Sequence, residues 1–391
     1  MEEQRKETTM NKKENIWKLT AVGALLLLGI VCVIFAVALG QKDAGAAAGA
    51  DKPRVSGKEA LSLWNDGARA KEELISYMEA ITDEGGPDYI PPEHRIAVFD
   101  MDGTLCCETD PVYFDHMLYM HRVLNDPDYQ ATEEDLEVAD RVFEYIDTGK
   151  YPEGLDVEHG QGVASAFKGM TLKDFDLYVK EYRDTPTAGY DGMTKGEAFY
   201  KPMIQVVDYL NANDFKVYIV SGTDAFIVRG LVDGILDIPM NQIIGSDERV
   251  AATGQGDEDG LTYTYQPDDE LIIAGDFIIK TLKMNKVASI EREIGLQPVL
   301  SFGNSSGDFA MDMYTISNNP YRSLAFQLCC DDLERENGNL EKAEKMVKSC
   351  EEYGFIPVSM KNDWKTIYGD GVTKKSEPDV EFEPVKLDLA A

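Results

Sequence analysis

A chain of 391 residues, 43% hydrophobic and 28% charged, has enough apolar material for a full core, which excludes a disordered polypeptide. Its length allows one large domain or two modest ones. A formal net charge of −33 argues against nucleic acid as a partner, because phosphate binding draws on clustered Lys and Arg, and such a surface also repels anionic lipid.

Residues 1–18 form a tail carrying Arg5, Lys6, Lys12 and Lys13, and residues 19–40 are nearly free of charge. Roughly 20 apolar residues cross a bilayer as a helix, and the basic flank keeps the amino end cytoplasmic. Two readings stand side by side. One is a membrane anchor with the rest of the chain extracytoplasmic. The other is a signal segment cleaved after "AVA" at Ala36–Ala38, which would release a secreted protein. The composition of residues 41–55 is that of a flexible linker.

Ser56 and Glu59 have capping-box spacing ahead of apolar positions at Leu61, Leu63, Trp64, Leu74, Ile75 and Met78, which predicts a helix. A short strand follows at Ile96–Phe99. From 111 to 196 the pattern is mainly helical, clearest in "YFDHMLYMHRVL", "EEDLEVADRVFEYI" and "TLKDFDLYVKEYR". "PMIQVVDYLNANDFKVYIVSGTDAF" then reads as helix, turn, apolar strand and turn. "PVLSFGNSSGDFAMD" and "AFQLCCDD" supply further strands, and "NLEKAEKMVKSCEEYG" is a last helix before "FIPVSM". Residues 370–391 lack apolar periodicity and are expected to be disordered. Helices alternating with short apolar strands predict a doubly wound, Rossmann-like parallel α/β sheet with helices on both faces. In such sheets ligands bind beyond the carboxyl ends of the strands. Each strand here ends in polar residues: Asp100 and Asp102, Ser221 and Thr223, Asn304 and Asp308.

Asp100 and Asp102 sit one residue apart at a turn that Gly103 permits. Carboxylates so close repel unless a cation lies between them, and Mg2+ favours one or two carboxylates with water and phosphate oxygens. An aspartate can also attack phosphorus, while a neighbouring carboxylic acid protonates the leaving oxygen. A calcium loop or a solvated turn would show the same four residues. Ser221 with the backbone amides of Gly222 and Thr223 would cradle a phosphoryl oxygen, and Asn304 and Asp308 are oxygen donors for a hard cation.

With these motifs in order, the sequence resembles the haloacid dehalogenase superfamily hydrolases, in their phosphoserine phosphatase-like branch that includes phosphorylcholine phosphatase-like enzymes. "IAVFDMDGTL", "VYIVSGT" and "NKVASIEREIGLQPVLSFGNSSGD" carry the likeness, which extends over about 95–368. It implies a catalytic core at 56–110 and 197–369, with a helical cap inserted at 111–196. It also implies Mg2+ on Asp100, Asp102, Asn304 and Asp308. Asp100 would be the nucleophile and Asp102 the general acid/base. Ser221 would hold the phosphoryl group, and Lys286, with Lys280 as its rival, would stabilise the transferring charge. Glu108, Gly222 and Thr223 would contact substrate. Asn304 departs from the more common aspartate and brings no charge, and Thr223 replaces a frequent glycine.

The expectation is a Mg2+-dependent phosphomonoesterase acting on a small phosphate ester through an aspartyl phosphate. A phosphotransferase with the same site and a non-catalytic tethered scaffold are the alternatives. The cap aromatics Tyr113, Phe114, Tyr119, Phe143, Tyr145, Tyr178 and Tyr182 could form a cage for a quaternary ammonium or simply pack. The pairs Cys106–Cys107 and Cys329–Cys330 follow two strands; a disulfide between them over the site mouth is one reading and buried free thiols the other.

Overall fold

The computed structural model describes residues 56–382. The basic tail, the apolar run at 19–40 and the linker lie outside them. Among the described residues, no helix is long and apolar enough to cross a membrane.

Seven strands form one sheet in the order β5-β4-β3-β1-β6-β7-β8. These are β1 (Ile96–Phe99), β3 (Lys216–Asp224), β4 (Ile243–Ala252), β5 (Leu271–Ile279), β6 (Leu300–Gly303), β7 (Leu324–Cys329) and β8 (Ile356–Ser359). A separate pair joins β2 (Tyr190–Asp191) to β9 (Thr373–Lys374). All neighbours in the large sheet run parallel except β5, which returns antiparallel on β4 at the edge.

Central β1 shows why its four residues are all apolar. Ala97 and Phe99 face one buried cluster and Ile96 and Val98 the other, so neither face of the strand meets water. Phe99, Phe302 and Phe326 stack across β1, β6 and β7, with ring centroids 4.4 and 4.8 Å apart. Phe99 pairs with Ile219 on one side and with Phe302 on the other, so the residues after these three positions emerge side by side. That register brings the polar residues following three strands to one place.

Between β1 and β3 the chain forms helices at Phe114–Leu124, Glu133–Thr148, Leu155–Ala166 and Leu172–Arg183. Thr132 and Asp135 close a capping box on the second, which Gly149 ends at φ 65°. The third helix was not anticipated, because "LDVEHGQGVASA" carries two glycines in its interior. Tertiary packing explains both. A Cβ on Gly160 would stand 2.6 Å from the Phe277 ring on β5, and one on Gly162 would stand 2.9 Å from the Tyr119 ring.

Other expectations are corrected. Ser56 precedes helix Gly57–Ala60 but makes no side-chain cap bond, and a second helix, Arg69–Thr82, begins only after a break. The strands at 243–252 and 271–279 were not foreseen as a hairpin. The early part of the expected disordered tail is instead ordered: Thr373–Lys374 pairs with Tyr190–Asp191 and Phe382 is buried. Its partners come from another part of the chain, so local apolar periodicity could not announce it. Cys106, Cys107, Cys329 and Cys330 are free thiols, which leaves no disulfide between the pairs. Of the aromatics between 113 and 182 singled out in the sequence, Phe114, Tyr119 and Tyr182 are buried, and Phe143, Tyr145 and Tyr178 pack on the same core; these six pack, while Tyr113 faces a cavity.

Candidate active site

A cavity of about 300 Å³ opens beyond the carboxyl ends of β1, β3 and β6. The strand ends contribute Asp100, Asp102, Glu108, Gly222, Thr223, Asn304 and Asp308, the helical segment contributes Tyr113, Asp115, His116, Tyr151 and Asp156, and Lys280 and Lys283 close one side.

At the base lies Lys286, fully buried on helix Met284–Glu293. Its ammonium donates to Asp100 Oδ1 at 2.5 Å, to Asp308 Oδ1 at 2.7 Å and to the Val220 carbonyl at 2.6 Å. An ammonium has three donors, and all three are used. Burial alone would push the lysine down; Asp100 and Asp308 override that and hold its pKa above the usual value. Lys280, its rival by sequence, lines the cavity but has no such place among the carboxylates.

Asp100 is anchored through its amide to the Phe302 carbonyl at 2.9 Å. Burial first, and then the Asp308 charge, raises its carboxyl to about 6, which leaves it mostly ionised at neutral pH. Asp102 differs. Its Oδ2 accepts a 2.7 Å bond from Thr223 Oγ1, yet burial, together with the charges of Asp115 and Asp100, holds its pKa well above the ordinary range. One aspartate is therefore poised as a base or nucleophile and the other as an acid.

Gly103 turns the chain immediately after them at φ 73°, and a Cβ there would fall 1.9 Å from Asn304 Nδ2. Only glycine lets the first loop and the β6 loop approach this closely. Asn304 hydrogen-bonds through its side chain to Glu108, whose carboxyl burial raises to about 7.

Asp308 is less open than its place in the sequence suggests. Its Oδ2 accepts from the amides of Asn304 and Ser305 and from Ser305 Oγ, while Oδ1 meets Lys286. It shapes the 304–308 turn and orients the lysine. Ser221 is fully buried behind the cavity wall, where its Oγ accepts the Thr223 amide at 3.0 Å. The hydroxyl expected to hold a phosphoryl group therefore supports Thr223, and the Thr223 amide is engaged by it. Gly222 and Thr223 do reach the wall.

The donor set suits a divalent cation. Asp100 Oδ2 takes a long 3.5 Å contact from Thr104 Oγ1, and Asp102 and Asn304 stand beside it on the wall. Burial first, and neighbouring negative charge second, raise these carboxyl groups, and a cation here would offset both. Asp100 and Asn304 are the side chains that would hold it, with Asp102 adjacent.

Sequence reasoning missed Asp115, His116, Tyr151 and Asp156. None lies near a strand end, and only the scarcity of histidine, four in the whole chain with His116, His121 and His159 inside the helical segment, hinted at a cluster.

The chain is similar to several known proteins. Solved structures resembling the chain include a conserved functionally unknown protein from Anaerococcus prevotii DSM 20548, at 14% identity and TM-score 0.45, covering 74% of this chain and 91% of that one. Cytosolic 5'-nucleotidase IIIB bound to cytidine matches at 12% identity and TM-score 0.47, covering 78% and 92%. A phosphoserine phosphohydrolase-like protein from Francisella tularensis subsp. tularensis SCHU S4 matches at 13% identity and TM-score 0.35, covering 65% and 92%. No curated protein matches the chain in sequence. The model of the haloacid dehalogenase-like hydrolases matches residues 97–311, from β1 to the helix after the β6 loop. That span exceeds half of the sequence and contains every strand-end residue of the cavity: the chain belongs to the haloacid dehalogenase-like hydrolases.

Proposed function

We propose that this hydrolase is a Mg2+-dependent phosphomonoesterase that works through an aspartyl phosphate, as the phosphoserine phosphatase-like resemblance implies. The observation that carries the reading is Lys286, buried at the base of the cavity with its ammonium shared between Asp100 and Asp308. It neutralises the nucleophile's surroundings, so an anionic phosphoryl group can approach an ionised carboxylate.

Asp100 Oδ2 attacks phosphorus, and the bond from phosphorus to the ester oxygen breaks. The protonated Asp102 gives its proton to the departing alkoxide. In the second step Asp102, now ionised, takes a proton from a water that attacks the same phosphorus, and inorganic phosphate leaves with Asp100 restored. Thr223 holds Asp102 toward both events. A divalent cation bound by Asp100 and Asn304 would supply charge neutralisation to the phosphoryl oxygens.

The helices between β1 and β3 act in this reading as a cap over the cavity, supplying Tyr113, Tyr151 and Asp156. With Glu108 they make an acidic, aromatic wall, which favours an ester whose alcohol portion is cationic over one that carries more negative charge. Residues 19–40, with their basic flank, support a membrane tether with the catalytic region outside the cell.

The test is hydrolysis of p-nitrophenyl phosphate by the full chain, with Mg2+ and with EDTA, beside Asp100→Asn. Magnesium-dependent turnover that the substitution abolishes is the expected result. Folded wild-type protein with no turnover under any of these conditions would favour a binding scaffold instead. Phosphate appearing on an added alcohol rather than on water would mark a phosphotransferase.

A further inference from the structure

A second cluster of buried polar groups lies in the helical segment, and the hydrolytic mechanism leaves it unused. Asp115 and His116 are on helix Phe114–Leu124 and His159 is on helix Leu155–Ala166. Their exposures are 3%, 2% and 1%. One ligating atom from each lies within 4.8 Å of the other two. His116 Nδ1 stands 2.7 Å from Asp115 Oδ1, and His159 Nδ1 stands 3.7 Å from Asp115 Oδ2. The two imidazoles are stacked, with centroids 4.0 Å apart.

An independent observation points to a ligand. Neither carboxylate oxygen of Glu248, a residue 3% exposed, has a hydrogen-bond partner among the described residues, and the ring nitrogens of His159 have only long contacts with Asp115. Buried polar groups in native proteins are nearly always satisfied, and each one left bare costs about 1–3 kcal/mol. His159, Asp115, Asp224 and Glu248 all face one cavity of about 10 Å³, room for a single water-sized particle.

We propose that Asp115, His116 and His159 form a second metal site, selective for a borderline divalent transition ion of the Zn2+ type, separate from the magnesium site. Two imidazoles and one carboxylate are a donor set that Mg2+ avoids and Zn2+ accepts. Three protein ligands leave a coordination position for water, and Glu248 across the small cavity supplies the acceptor for that water. Lys280 lines the same cavity and is the cation with which the ion competes. Bound there, the ion ties helix 114–124 to helix 155–166. Asp115 and His116 also line the catalytic cavity, so its wall would be stiffened where substrate enters.

The experiment uses the full chain, stripped with EDTA and titrated with Zn2+ in excess Mg2+ against a chromophoric chelator. Wild type and Asp100→Asn should each bind one equivalent. His159→Gln and His116→Gln should bind at least about 10–100-fold more weakly, the scale on which even outer partners of a metal act. X-ray absorption of the zinc-loaded wild type needs no variant and should show imidazole nitrogens at about 2.0–2.1 Å. No tight zinc binding by folded wild type would overturn the site. So would an all-oxygen shell, or binding lost in Asp100→Asn and kept in both histidine variants, because the zinc would then occupy the magnesium position.

Discussion

Two buried clusters lie against one cavity, and they are finished to different degrees. At the strand ends Lys286 meets Asp100, Asp308 and the Val220 carbonyl, and the second oxygen of Asp308 is taken by three further donors. In the second cluster His159, on helix Leu155–Ala166, and Glu248, on β4, are left with no short hydrogen bond to any described residue. The first cluster is complete within the protein except on the side of Asp100 that faces the cavity. The second has spare donors and acceptors directed at an enclosed space. A complete network resists perturbation of the fold and leaves one reactive atom exposed, whereas an incomplete one asks for something from outside the chain.

The largest expected effect separates the two directly. Lys286→Met removes the hub of the complete cluster and leaves two buried carboxylates uncompensated, so it should lower stability by about 3–5 kcal/mol. Urea unfolding of metal-free protein measures this. An effect under about 1 kcal/mol would mean that the aspartates simply take up protons.

The pH dependence of stability sharpens the contrast further. Burial first, aided by neighbouring charges, raises Asp100 to about 6, Glu108 to about 7 and Glu248 to about 9. Ordinary carboxyl groups titrate near 4, so the folded state binds more protons than the unfolded chain across this window. Stability is therefore fully present below about pH 4 in these terms and is lost as pH rises through 6 to 9. Thermal unfolding in EDTA should show a falling Tm from pH 5.5 to pH 9. Glu248→Gln should flatten the upper part of that decline and Mg2+ the lower part. A Tm that rises across the window would contradict the assignment.

A smaller effect is expected at Thr223→Val, which removes the 2.7 Å hydrogen bond to Asp102. One such bond is worth about 1 kcal/mol net, or roughly a fivefold loss in turnover. Because Thr223 favours the ionised form of Asp102, the pH–rate profile should move to higher pH. An unmoved profile would show that Asp102 does not titrate in the reaction.

The smallest effect belongs to the unfinished cluster. In metal-stripped protein His159→Leu breaks no short hydrogen bond, so stability should change by less than about 1 kcal/mol. Zinc should then raise the Tm of wild type and leave that of the variant where it was. A large loss of stability in the stripped variant would mean that the imidazole is held by its packing against His116 and Tyr119.

Much of the strand-end region was legible beforehand, because each of its groups follows an apolar run that can only be a buried strand. Asp100, Asp102, Asn304 and Asp308 were found in this way, and all four line the cavity. Their detailed duties were less legible. Ser221 stands behind the wall and Asp308 is occupied by the 304–308 turn, since one residue of displacement beyond a strand decides whether a side chain meets the cavity or the core. The helix carrying His159 escaped notice because Gly160 and Gly162 weaken its local signal, while their reason for being there, the Phe277 and Tyr119 rings, lies elsewhere in the chain.

What the sequence by itself determined is the alternation of helix and buried strand and the polar residues at the strand ends. These depend on the period of apolar residues and on local turn chemistry, which act over a few positions. Only the tertiary structure decided the antiparallel return of β5, the order of residues 373–382, and the meeting of Asp115, His116 and His159. Each of these joins segments far apart in the chain, and such contacts are selected by shape and charge in the packed core, where no local pattern records them.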